Sequence, residues 1–154
     1  MKPDLIFELA SLAAIFGWLL LTIGLLARAG TPRRVLLLIG GRATPVLLCI
    51  VYLALLVAYW GSAPGGNFGS LEGVAQLFSS RGKLLGGWVH YLAFDLFIGR
   101  WVIDDVLNSK RSRWSLALTL PLTFLFGPVG LLVHFGIRAI QRQPSTDVCG
   151  RKAV

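Results

Sequence analysis

Four apolar runs, each close to the length of a bilayer's hydrocarbon core, constrain this chain more than any other feature. A membrane-spanning helix needs about 20 consecutive, mostly apolar residues. Leu9 to Ala27 carries no charge, and Val35 to Trp60 is broken only by Arg42 and contains Pro45. A third run extends from Leu84 to Asp105, and a fourth from Trp114 to Ile137, the latter with Pro121 and Pro128 inside it. Prolines are tolerated in spanning helices where neighbours satisfy the freed carbonyls. The expected fold is all-α, a polytopic membrane protein built as a four-transmembrane-helix bundle. Its spans fall at about 5–28, 35–60, 84–107 and 114–139 of a single domain covering 1–142, and a polar, disordered tail follows at 143–154.

Composition agrees with lipid as the solvent. Of 154 residues, 55% are hydrophobic and 14% charged, and the mean hydropathy is +0.72. A soluble domain of this size cannot bury that much apolar surface. The net charge of +8 lies in short clusters between the runs. That arrangement suits lipid headgroups and topology signals, and it argues against a nucleic-acid partner, which would need a basic face on a folded module. The positive-inside count is balanced. Arg28, Arg33, Arg34, Lys110, Arg111 and Arg113 lie on one side, and Lys2, Arg81, Lys83, Arg138 and Arg142, with Arg151 and Lys152 in the tail, on the other.

The first run has a weak signal-peptide character, with Lys2 ahead of it and Ala27-Arg28-Ala29 behind. Its length exceeds the usual signal core of about 7–15 residues, so a retained helix is expected. Between the second and third runs, Gly61 to Asn67 forms a flexible link. Ser70 to Phe78 follows, and its Leu71, Val74, Leu77 and Phe78 have the spacing of a short amphipathic interfacial helix.

The third run poses the chemical question. His90, Asp95, Arg100 and Asp105 recur every five residues. Each step of five turns a helix by about 140°, so the four cannot share one face. Trp88, Tyr91 and Asp95 line one side; His90, Phe97, Arg100 and Asp104 line the other. A helix polar on several sides needs protein around it, which makes this third helix the centre of the bundle. Arg100 with Asp104 and Asp105 reads as a structural ion pair near the helix end, where an arginine can snorkel. His90 and Asp95 lie deeper, where an ionisable group is a functional candidate by default. In the fourth run Thr123, Gly127, Gly130 and His134 fall in one sector. They allow either close helix packing or a slot for a flat ligand.

Cys49 sits in an apolar run and Cys149 in the tail, so no disulfide framework is expected. The only histidines are His90 and His134, on different helices, and no metal site is expected. No phosphate loop or dinucleotide fingerprint occurs, and no cofactor is expected.

Three blocks carry a resemblance. Gly73-Val74-Ala75-Gln76-Leu77-Phe78-Ser79-Ser80 comes first. Trp88-x-His90-x₄-Asp95-x₄-Arg100-x₄-Asp105 follows, and then Phe126-x-Pro128-x-Gly130-x₃-His134. In order and spacing they resemble the abscisic-acid-deficient-4-like family, whose plant members are neoxanthin synthases of the chloroplast envelope. The resemblance covers Leu71 to Ile140, while the first two runs match only in hydrophobicity and length. It implies a small multi-pass membrane protein acting as an isomerase on a carotenoid, a xanthophyll or a related isoprenoid. Plant members turn the epoxide of violaxanthin into the allenic alcohol of neoxanthin without net oxidation. This reaction needs an acid for the oxygen and a base for a vinylic proton. On the resemblance, His90 or His134 donates, Asp95 accepts, and Arg100 steadies the developing alkoxide. Trp88, Tyr91, Thr123, Gly127 and Gly130 bind the substrate. The partners expected are membrane lipids and a hydrophobic isoprenoid or carotenoid ligand, and homo-oligomerisation stays open. The lack of a plastid transit peptide suggests a bacterial inner membrane. The competing reading is a non-enzymatic lipid- or pigment-binding scaffold.

Overall fold

Prolines open the first helices and small residues let them approach one another. A computed structural model describes residues 2–109 and 113–141. The expected tail at 143–154 with Cys149, and the basic residues Lys110, Arg111 and Arg142, lie outside the described residues. α1 spans Pro3–Leu26, with proline in its first turn, where a missing N–H does no harm. It buries Ala10, Ala14, Gly17, Trp18, Leu21 and Gly24, one narrow stripe at helical spacing.

The second apolar run, expected as one helix from 35 to 60, is interrupted. α2 spans Thr31–Leu38, a π-helical turn covers Ile39–Ala43, and α3 spans Thr44–Ala58. Pro45 explains the interruption. Its ring would clash with the carbonyl of Gly41 in a regular α-helix, and it offers no N–H. The wider turn absorbs this. The Thr44 N–H reaches back five residues to the Ile39 carbonyl, and the Thr44 hydroxyl donates to the same oxygen at 3.0 Å. The π turn also meets α1 backbone to backbone, because a Cβ on Gly40 would stand 2.7 Å from the Gly17 carbonyl oxygen.

α4 spans Leu71–Ser79 and is strongly amphipathic, as its sequence spacing suggests. Ser70 caps it, its Oγ accepting from the Gly73 N–H at 3.0 Å. α5 spans Arg81–Asn108 and α6 spans Trp114–Ile140. α5 packs on α1, α3, α4, α6 and the π turn, and so lies innermost. Two apolar clusters flank it. Leu48, Leu55, Leu85, Val89 and Ala93 form one, and Trp18, Leu21, Leu96, Ile103 and Leu116 the other.

The described residues are all helix and connection, with no strand among them. Large apolar side chains point outward along the bundle, among them Leu12, Phe16, Ile50, Leu53, Leu125 and Leu132. An apolar exterior of this extent is what a lipid solvent requires. α1, the α2–α3 unit over Thr31–Ala58 and α6 are long and apolar enough to cross a membrane. α5 has the length but is not among them. Asp95, Arg100, Asp104 and Asp105 interrupt its apolar run, so three of the four expected spans meet that measure.

Candidate functional site

α6 does not run straight past α5. Phe126 departs from helical geometry at φ −141° and ψ 43°, with Pro128 two residues on. Pro128 has no N–H for the carbonyl of Phe124, and a break of this kind frees carbonyls of the preceding turn. The Tyr91 hydroxyl of α5 takes one of them, donating to the Leu125 carbonyl at 3.0 Å. On the inside of the bend Gly130 lies directly against Thr123, and a Cβ there would overlap the Thr123 hydroxyl and backbone. The Thr123 hydroxyl donates in turn to the Thr119 carbonyl at 2.7 Å.

Asp95 faces the kink. Its side chain is buried, at 7% exposure. Its carboxyl lies against the bare backbone of Gly127, so closely that any Cβ there would overlap Oδ1. Among the described residues Oδ2 has no hydrogen-bond partner. The Tyr91 hydroxyl interacts with the same carboxyl. One turn back, Trp88 stacks on Tyr91 with ring centres 5.8 Å apart and meets Phe7 at 5.7 Å. The Trp88 indole N–H donates to Ser11 Oγ at 3.1 Å. Trp88, Tyr91 and Asp95 therefore form one strip, as their spacing on α5 suggests, and Gly127 closes it from α6.

The remaining expected site residues lie elsewhere. His90 is exposed, stacked on Phe94 with centres 4.4 Å apart and facing Tyr52 of α3 at 5.4 Å. Arg100 bonds Asp104 at 2.8 Å, with its stem against Gly41 in the π turn. Asp105 is engaged from α6, by His134 Nε2 at 3.0 Å and Arg138 Nη1 at 3.2 Å. His134 is 2% exposed, with Trp101 edge-on to it. The four groups expected to share a reaction thus have four different sets of neighbours. Of them, Asp95 alone is a buried acid with an unpartnered oxygen. Among the described residues no group of three histidine, cysteine or acidic side chains could hold a metal ion.

Two participants escaped the sequence reading. The Leu125 carbonyl is a backbone atom and leaves no compositional trace, although Gly127 and Pro128 mark the bend that frees it. Arg138 follows His134 by four residues, a helical spacing that puts both on Asp105.

A family model described as ABA DEFICIENT 4-like matches residues 5–134. The chain belongs to the ABA DEFICIENT 4-like family. A relative, "Protein ABA DEFICIENT 4, chloroplastic" from Arabidopsis thaliana, is 44% identical over 71 residues. That region makes up 46% of this chain and 30% of the relative, so the chain matches less than a third of that protein's length. No solved structure matches. The family match starts near the beginning of α1, and so takes in the helices that resembled the family only in hydrophobicity. A bacterial inner membrane gains no support, since the relative is chloroplastic.

Proposed function

We propose that this ABA DEFICIENT 4-like protein is a four-span membrane isomerase that rearranges an epoxy-carotenoid or related isoprenoid by acid–base chemistry at the α5–α6 kink. The observation that carries the reading is Asp95, a buried carboxyl with one unpartnered oxygen beside a tyrosine hydroxyl. Burying a carboxyl without partners costs several kcal/mol, and such a residue inside a membrane helix reads as functional by default.

The proposed chemistry balances without an oxidant. Asp95 removes a vinylic proton next to the epoxide, and the C–H electron pair becomes the second double bond of an allene. The allylic C–O bond breaks toward oxygen, which takes a proton from Tyr91. Tyr91 recovers its proton from Asp95 across their contact, so the product has the composition of the substrate. In the resting protein the Tyr91 hydroxyl donates to the Leu125 carbonyl, and the epoxide oxygen would replace that acceptor. The half-exposed faces of Trp88 and Tyr91 offer an aromatic approach for a ring end-group. In this proposal Arg100 and His134 hold the bundle, and His90 stays outside the reaction.

The test is expression of the chain in cells that accumulate a carotenoid epoxide. The expected product is a pigment of unchanged mass, changed retention and an allenic stretch in its infrared spectrum. Unchanged pigments, with the chain inserted and folded, would leave the non-enzymatic pigment-binding scaffold as the better reading.

A further inference from the structure

Away from the kink, at the end where α1 leaves and α6 enters the bundle, Arg33 lies near enough to Arg100 and Arg113 to feel their charges. Arg33 of α2 has a buried Nη2 with no partner, and Arg100 has a buried Nε and Nη1 with none, among the described residues. Arg100 is answered only through Nη2, by Asp104. Arg113 and Arg100 both act on Arg33 as like charges. Buried guanidinium nitrogens without partners, set among like charges, call for an anion, and their planar forks match phosphate oxygens.

A groove reaches one of these arginines, Arg113. It has a volume of about 710 Å³ and runs between α1 and α6, with Arg113 and Leu26 at one end and Ile15 and Phe124 at the other. Ala117 lines it from α6, and Trp18 and Leu19 line it from α1. Its size falls in the range of about 300–1,000 Å³ usual for small-molecule sites. The groove is apolar along its length and basic at one end, which is the charge pattern of an amphiphile with an anionic head. An epoxy-carotenoid has oxygens that accept hydrogen bonds but no charge to offset those of the arginines.

We infer that the α1–α6 groove binds an anionic phospholipid, its phosphate held by Arg33, Arg100 and Arg113 and one acyl chain lying along Ala117 toward Phe124. The site goes beyond the proposed isomerase site and does not depend on it.

Native mass spectrometry of the detergent-purified full chain tests this, using phosphatidylglycerol and phosphatidylcholine with identical acyl chains, and inorganic phosphate as a soluble competitor. Phosphatidylglycerol should bind at least about tenfold tighter than phosphatidylcholine, and Arg33→Gln and Arg113→Gln should each weaken it about fivefold. Ala117→Trp, which fills the groove at an exposed position, should release the lipid. Equal binding of the two lipids by the unaltered chain would overturn the inference. So would phosphatidylglycerol binding that survives Ala117→Trp while millimolar inorganic phosphate displaces it, since the site would then take a soluble anion.

Discussion

Asp95 and Asp105 sit ten residues apart on one helix with opposite circumstances. Asp105 is bonded from α6 by His134 and Arg138, so its charge has a structural use. Asp105→Asn weakens those charge-assisted bonds and should cost about 1.5–3 kcal/mol, read as a lower unfolding midpoint in detergent. Asp95 has an unpartnered oxygen, so Asp95→Asn removes little that holds the fold. Gly127 is the counterpart on α6. Gly127→Ala pushes a methyl group into the Asp95 carboxyl and should cost about 1–3 kcal/mol, as overpacking does. A Gly127→Ala variant with an unchanged midpoint would mean that the two helices do not touch there.

Among the elements, the π turn is the part that hydropathy could not reveal. Gly40 meets the Gly17 carbonyl oxygen, so Gly40→Val should force α1 and the π turn apart and destabilise by about 1–3 kcal/mol. Gly136, with open space around its would-be Cβ, should accept alanine with no loss of midpoint. Much of the helical layout was legible, because runs of Leu, Val, Ile and Phe have no other use at that length. The Trp88–Tyr91–Asp95 strip was legible too, since helical rotation alone aligns it. The partition of the other ionisable residues was not. Rotation places His90 and Arg100 off that strip but says nothing of which neighbour each meets, and α3, the π turn and α6 supply those separately. The Leu125 carbonyl depends on a bend whose angle no side-chain pattern encodes.

For the whole molecule, α1, the α2–α3 unit and α6 pack around a helix too polar to face lipid alone, which still exposes Phe94 and Phe97 on one side. Counting α5 as a span, the third of four, predicts that Lys2 and Gln141 lie on one side of the membrane, consistent with the ion pair between Asp4 and Arg81 at the starts of α1 and α5. Single cysteines at positions 2 and 141 should then react with an impermeant maleimide from the same side, and opposite sides would remove α5 from the membrane. The central claim is that this helix carries its buried Asp95 carboxyl for a reaction. Turnover per folded molecule of Asp95→Asn in lipid nanodiscs, with an epoxy-carotenoid substrate, tests it most directly. The account predicts a wild-type unfolding midpoint together with a rate reduced about 10²–10⁴-fold, the reach of general acid–base catalysis. A folded variant that turns over as fast as the parent chain would contradict it.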